Sequence, residues 1–338
     1  MGKEKRSLAS KADKYDLYQR SVQAPEADVE FFDKAYRKTF KRTPSLLRED
    51  FCGTALTCCE WVKMGSERIA LGVDLDPEPI AWGKKNNLSK LSTKKRKRIK
   101  LVEADVRKTE GPKADIVAAQ NFSYLIFHTR ESLKEYFKAA YKNLGNEGIL
   151  ILDLMGGPEV WKEDRSDKTK HKGFVYRWEH ARFDPITHRC KFHIHYSFKD
   201  GSARKKAFTY DWRLWTIPEL REILVEAGFS RADVYWEGVD SKGEGDGKYV
   251  KRESAPSDPC WISYIVGVKA EAAKKETAPK KAAKKKPAKK KAAKKKPAKK
   301  KAAKKKPAKK KAAKKKPAKR KPAKKKAAKK KTARKKTA

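Results

Sequence analysis

The sequence predicts an α/β protein: a mostly parallel, doubly wound sheet with an antiparallel insert, followed by a disordered tail. Three observations predict it. From residue 45 to 154, short apolar runs alternate with stretches of helical period, the pattern of βα units sharing a parallel sheet. From 174 to 214, extended segments follow one another with only turn signals between them, the pattern of antiparallel strands. From 271 to 338, lysine dominates and large apolar side chains are absent.

Taken in order, residues 11–40 read as helical, with an interruption near Pro25. Residues 45–49 read as a strand, 55–64 as a helix, 69–73 as a strand and 77–88 as a helix, with Asp76 as its cap. A basic loop, 92–98, leads to a strand at 99–103; a further strand follows at 114–119, a helix at 130–143 and a buried strand at 148–154. Residues 160–172 read as a charged loop. Strands at 174–183 and 189–198 are joined by Asp184-Pro185, and Asp200-Gly201 turns the chain into a strand at 205–214. Thr216 and Glu219 have capping-box spacing, opening a helix that ends at Ala227-Gly228. Strands at 232–236 and 261–268 close the body, with a Gly- and charge-rich loop between them. The divisions are therefore 1–44, a helical cap; 45–270, the sheet domain with its 174–214 insert; and 271–338, the tail.

The chain's net charge of +46 averages two unlike pieces. Residues 271–338 hold 35 Lys and 2 Arg against 2 Glu, a net +35. The preceding 270 residues carry +11 and all 8 Trp, enough length to bury a sizeable core. The N-terminus is charged from its third residue, which argues against a secretory signal. Gly2 lacks the Ser or Thr at position six that myristoylation wants, Arg6 standing there. No apolar run approaches a membrane span, so no membrane partner is expected. Five cysteines without C-x-x-C spacing suit a reducing compartment. The expected location is cytoplasmic, nucleoid-associated in a bacterium, or nuclear in a eukaryote.

The residues at the strand ends resemble those of class I S-adenosylmethionine-dependent methyltransferases. Leu47-Arg48-Glu49-Asp50-Phe51-Cys52-Gly53-Thr54-Ala55 resembles the first motif, with Glu49 at the acidic position and Cys52-Gly53-Thr54 at its centre. Phe51 and Ala55 stand where that family usually has glycine. Gly72-Val73-Asp74-Leu75-Asp76-Pro77 resembles the second, and Val102-Glu103-Ala104-Asp105-Val106 the third. The resemblance implies S-adenosylmethionine as cofactor, Asp74 on the ribose diol, Asp105 on the adenine amino group, Glu49, Cys52, Gly53, Leu75 and Val106 among the cofactor-binding residues, and Gln120 and Asn121 beside cofactor and substrate. A carboxylate accepts from both hydroxyls of a vicinal diol, which suits the residue type. The Gly-x-Gly-x-x-Gly of NAD-type domains is absent. The segment from Trp212 to Phe229 resembles small-molecule methyltransferases, which makes the insert a cap over a substrate pocket. Asn121-Phe122-Ser123-Tyr124 resembles the Asn-Pro-Pro-Tyr of amino-methylating DNA enzymes without its prolines.

Tyr18, Tyr124 and His128 are candidates for the pocket, and no catalytic base can be named. His193 and His195 share one strand face while Cys190 points away, so no metal site is expected. The tail repeats KKAAKKKPAK every ten residues, with Pro287, Pro297, Pro307 and Pro317 marking the period. Proline and lysine repulsion oppose a helix. A polycation releases counterions from phosphate backbones, so the tail's expected partner is nucleic acid, bound without sequence preference and sensitive to salt. It resembles linker-histone tails. Three functions follow: methyl transfer to a small molecule or protein, tethered to nucleic acid; methyl transfer to DNA or RNA; or a histone-like binder whose methyltransferase-like domain is inactive. The methyl acceptor is unknown.

Overall fold

The βα alternation becomes five parallel strands. β1 (Leu46–Asp50), β2 (Ile69–Asp74), β3 (Ile99–Glu103), β4 (Ala114–Ala119) and β5 (Leu144–Gly156) lie in the order β3-β2-β1-β4-β5. The computed structural model describes residues 6–239 and 245–270. In register, Glu49 stands between Gly72 of β2 and Ala118 of β4. The strand order reverses there, and ligand crevices open beyond the carboxyl ends at such a switch.

β5 is apolar on both faces, which lets one strand serve two cores. Ile149 and Ile151 join Leu47 and Ile116 in a core with α3 (Pro25–Phe40) and α4 (Leu56–Trp61). Leu150, Leu152 and Leu154 join the opposite core with α7 (Arg130–Asn143) and α8 (Ile217–Glu226). α3 therefore forms part of the sheet's helical layer. Thr129 caps α7, and Thr216 with Glu219 forms the expected box on α8. Asp76 caps α5 (Pro77–Asn86), accepting from the Glu78 N–H.

A second sheet of four antiparallel strands follows β5: β6 (Ser166–His171), β7 (Phe174–Asp184), β8 (Arg189–Ser197) and β9 (Ala203–Arg213). The first sheet then continues with β10 (Arg231–Val239), β11 (Gly245–Arg252) and β12 (Trp261–Lys269). β12 pairs antiparallel to β5 on one side and to β10 on the other, with β11 outermost.

Two expectations need correction. The charged segment 160–172 contains β6, and the loop expected between 236 and 261 contains β11. Both are edge strands whose side chains are almost all exposed, so neither carries an apolar alternation. The basic stretch 92–98 also differs from a free loop. It includes the short helix Thr93–Arg96, and Arg98 turns inward to donate to the carbonyls of Val62, Gly65 and Arg68 at 2.6–2.8 Å.

The helix Lys14–Val22 straps the two sheets together. Leu17 packs with Phe174, Ile194 and Tyr196 of the second sheet. On the other side, Gln19 donates to Thr54 Oγ1 at 2.7 Å and the Trp82 indole donates to Asp13 at 2.8 Å. No helix among the described residues is long and apolar enough to cross a membrane. The expectations for residues 271–338 lie outside the described residues.

Candidate active site

The turn after β1 begins the site. Phe51, Gly53 and Ala55 all adopt positive φ, at 59°, 50° and 54°. Left-handed backbone costs a residue bearing Cβ about 1–2 kcal/mol. Phe51 and Ala55 thus hold the conformation that glycine would adopt freely. The Phe51 ring offsets part of its cost by packing on Tyr136, with centroids 5.5 Å apart. The turn is pinned by the Gly53 N–H, which donates to Asp74 Oδ2 at 2.7 Å, and by Cys52 N–H on the Val73 carbonyl at 3.0 Å. α5 crosses close behind it. A Cβ on Gly83 would stand 2.2 Å from the Thr54 carbonyl oxygen, so only glycine permits that approach.

Beyond the ends of β1, β2 and β3 lies a cleft of about 360 Å³. Asp74, Leu75, Asp105 and Val106 line it with Phe51 and Phe127. Each Asp74 oxygen accepts one backbone N–H, from Gly53 at 2.7 Å and Asp76 at 2.9 Å, leaving acceptor capacity on both. Burial raises its pKa, and those same N–H groups oppose the rise. Asp105 is held by Arg107 at 2.7 Å, which keeps its carboxyl below the usual range. The cleft's apolar rim is open: Leu75 leaves 69 % of its surface exposed and Ile126 leaves 48 %.

Arg48 supports this cleft from inside the protein. Its guanidinium bonds Asp50 Oδ1 at 2.7 Å, the Val106 carbonyl at 3.0 Å and the Thr109 carbonyl at 2.9 Å. The loop carrying Asp105 and Val106 thus rests on a buried cation. Its trace in the sequence was a basic residue placed directly before the two carboxylates that end the strand.

Glu49, Cys52, Gly53 and Gln120 are not among the residues lining the cleft. Cys52 is buried, and Gln120 donates to the Ile151 carbonyl at 3.3 Å. Glu49 is buried at the first turn of α4, accepting from the Cys58 N–H at 3.0 Å; burial pushes its carboxyl up to about 7. Two more carboxyls share the α3 side of the sheet. Asp153 accepts from the Phe122 N–H at 2.9 Å, and burial raises it to about 7. Asp28 of α3 accepts from the Tyr264 hydroxyl at 2.7 Å and is raised to about 6, again by burial.

Asn121 opens onto a second cavity, of about 260 Å³. Asn121 and Phe122 have φ of 56° and 58°, a strained turn held by Asp153. The aromatic walls are Tyr18, Phe122, Tyr176, Trp178, Tyr210 and Trp212. Tyr210 and Trp212 lie 4.3 Å apart, Trp178 lies 5.7 Å from Tyr210, and Phe122 meets Trp212 edge-on at 6.0 Å. Besides its tyrosines, Asp167, His180 and Cys260 line it, and among the described residues Arg and Lys do not contribute to it. The turn after β4 serves both cavities, with Asn121 and Phe122 in this one and Ile126 and Phe127 in the cleft.

Of the three pocket candidates, Tyr18 lines the chamber. Tyr124 is buried with its hydroxyl on the Asp153 carbonyl at 2.8 Å, and His128 Nε2 lies 2.8 Å from the Asp211 carbonyl oxygen. On β8, Cys190 and Ile194 pack inward, while His193 sits 2.9 Å from Thr209 and His195 2.5 Å from Glu179. Sequence reasoning missed Trp178, His180, Tyr210 and Trp212 as site residues. Their signal was the period-two spacing Tyr176-x-Trp178-x-His180 and Tyr210-x-Trp212 on strands of the insert.

No protein-family model and no curated protein matches the chain. Solved structures do. An S-adenosylmethionine-dependent methyltransferase from Clostridium acetobutylicum is 16% identical over 75% of this chain and 96% of its own, with a TM-score of 0.56. CalS10, an amino pentose methyltransferase from Micromonospora echinaspora solved with S-adenosylmethionine bound, is 14% identical over 80% of this chain and 100% of its own, at 0.55. The sugar N-methyltransferase KedS8 from Streptoalloteichus sp. is 19% identical over 80% and 99%, at 0.53. The described part of this chain has the fold of class I S-adenosylmethionine-dependent methyltransferases.

Proposed function

We propose that this chain transfers a methyl group from S-adenosylmethionine to a small molecule held in the aromatic chamber, and that its polycationic tail keeps it on nucleic acid. The observation that carries the reading is the cleft. Two carboxylates at adjacent strand ends stand beside the exposed apolar faces of Leu75 and Ile126, which a flat base would cover. Asp74 would take the ribose diol and Asp105 the adenine amino group. Glu49 and Asp153, both raised by burial, would be drawn to their ionised forms by a cationic methionyl end bound nearby. When bound, the sulfonium supplies an already activated methyl group, so the protein's contribution is to align the acceptor and exclude water. The walls of the chamber and the strap helix suit both tasks.

Calorimetric titration with S-adenosylhomocysteine tests the cofactor, with micromolar binding expected; absence of heat from the intact chain would sink the reading. Polynucleotide is the second candidate acceptor, favoured by the tail's charge. Labelled methyl offered to metabolite, protein and nucleic-acid fractions decides between them, with label expected in the first. For the tether, deletion of residues 271–338 should abolish retardation of duplex DNA at about 0.15 M salt. Retardation unchanged by that deletion would remove the tail from the proposal.

A further inference from the structure

We propose that the acceptor is a compact amine, held against the rings of Trp178, Tyr210 and Trp212, with His180 receiving the proton that the reaction releases. This rests on the methyltransferase reading and names the substrate class of the same site.

The lining selects for charge. Six aromatic side chains present π-faces or edges to about 260 Å³, and among the described residues Arg and Lys are absent from the lining. Arg165, behind Asp167, is neutralised by that carboxylate at 3.0 Å and by Glu159 at 3.6 Å. A carboxylate or phosphate acceptor would therefore enter without a cationic partner. An ammonium would meet ring quadrupoles, which attract cations within about 6 Å. Asp167, paired with Arg165, is the carboxylate among the described lining residues.

His180 fits the proton's destination. Its Nδ1 lies 3.3 Å from the Val160 carbonyl oxygen, which only an N–H can satisfy, so Nε2 carries the lone pair. Burial lowers its pKa, keeping it neutral at physiological pH; Arg165 and Asp167 are the charged groups facing it, with opposing effects. Acidity then separates the acceptors. An imidazole near ~6.5 lies about four orders of magnitude below an alkylammonium near ~10.4, but about nine below an alcohol comparable to water at ~15.7. In the step, the bound ammonium first gives one proton to His180 Nε2, and the lone pair so freed forms the new N–C bond as the C–S bond breaks. That bond's electron pair stays on sulfur, which becomes a neutral thioether; the product leaves as the methylated ammonium, and the proton on His180 passes to water.

The test uses the full chain saturated with S-adenosylhomocysteine. It is titrated with benzyltrimethylammonium and with its uncharged carbon isostere, neopentylbenzene, while tryptophan fluorescence is followed. The ammonium should bind at least ten-fold more tightly. Equal affinities, a preference for the isostere, or binding of neither would overturn the proposal. Trp178→Leu should cut the preference below three-fold while Trp178→Phe keeps most of it; Tyr210→Leu replaces Trp178→Leu if that variant does not fold. Lowering pH from 8 to 5 should weaken ammonium binding as His180 gains charge, and less so in His180→Asn. Equal pH dependence in the two would remove His180 from the step. Because S-adenosylhomocysteine binding is read separately, loss of the cofactor reading and loss of the amine reading are distinguishable.

Discussion

The cleft beyond β1, β2 and β3 and the chamber beneath the second sheet are neighbours built by different means. The cleft is made of backbone turns and carboxylates, each at the end of its own strand, and the hydrogen bonds of Asp74 and Asp105 are local in sequence or one strand away. The chamber is made of rings from residues 18 to 212, on a strap helix, a turn and two antiparallel strands. The difference teaches that one molecule can specify a polar site by short motifs and an apolar site by long-range assembly. The cleft should therefore fail through single hydrogen bonds. The chamber should fail through loss of ring area.

Arg48 gives the strongest way to break that contrast. Arg48→Met leaves buried Asp50 unpaired and the Val106 and Thr109 carbonyls without their donor. Denaturant unfolding should show a loss of about 3–5 kcal/mol. A loss under about 1 kcal/mol would mean the buried pair does little for the cleft.

Glu49 comes next. Its carboxyl, raised to about 7 by burial, keeps a proton in the folded chain that the unfolded chain has already released above pH 5. The unfolded state then binds fewer protons, so stability falls as pH rises from about 4.5 to 7. Glu49→Gln should remove that fall and gain roughly 2–3 kcal/mol at pH 8, read by thermal unfolding across pH. A variant less stable than the parent at pH 8 would contradict the assignment.

Asp74→Ala should weaken S-adenosylhomocysteine by about 2 kcal/mol, some thirty-fold, the cost of lost hydrogen bonds to a charged group. Ammonium binding in the chamber should stay within two-fold, and a parallel loss would show that the two cavities act as one. The smallest effect belongs to Ala55→Gly. Relief of its left-handed backbone is set against a lost buried methyl and a floppier unfolded chain, so stability should move by less than about 1 kcal/mol. A larger loss would mean that Ala55 is packed for more than its turn.

The legible elements were those with an internal signal. The strands Ile99–Glu103 and Ala114–Ala119 and the helix Arg130–Asn143 coincide with the ranges read from apolar period. Asp76 and Thr216 were readable because caps depend on residues two or three positions away. β6 and β11 were not, since an exposed edge strand draws its hydrogen bonds from a partner and needs no apolar face. Of the nine residues suggested for the cofactor region, Asp74, Leu75, Asp105 and Val106 meet in the cleft and Asn121 faces the chamber. Glu49 and Gln120 are tied into the interior by the Cys58 N–H and the Ile151 carbonyl, bonds that cross between elements.

By itself the sequence determined the order of βα units, the residues at their ends, the antiparallel insert and the separation of a +11 body from a +35 tail. These are local or additive properties: periodicity, capping and charge. Tertiary structure decided that Arg48 faces inward to hold the Asp105 loop, that Phe51 and Ala55 accept glycine's backbone, and that six aromatic side chains converge on one chamber with His180. Those depend on which distant faces pack together, and packing is a property of the assembled chain.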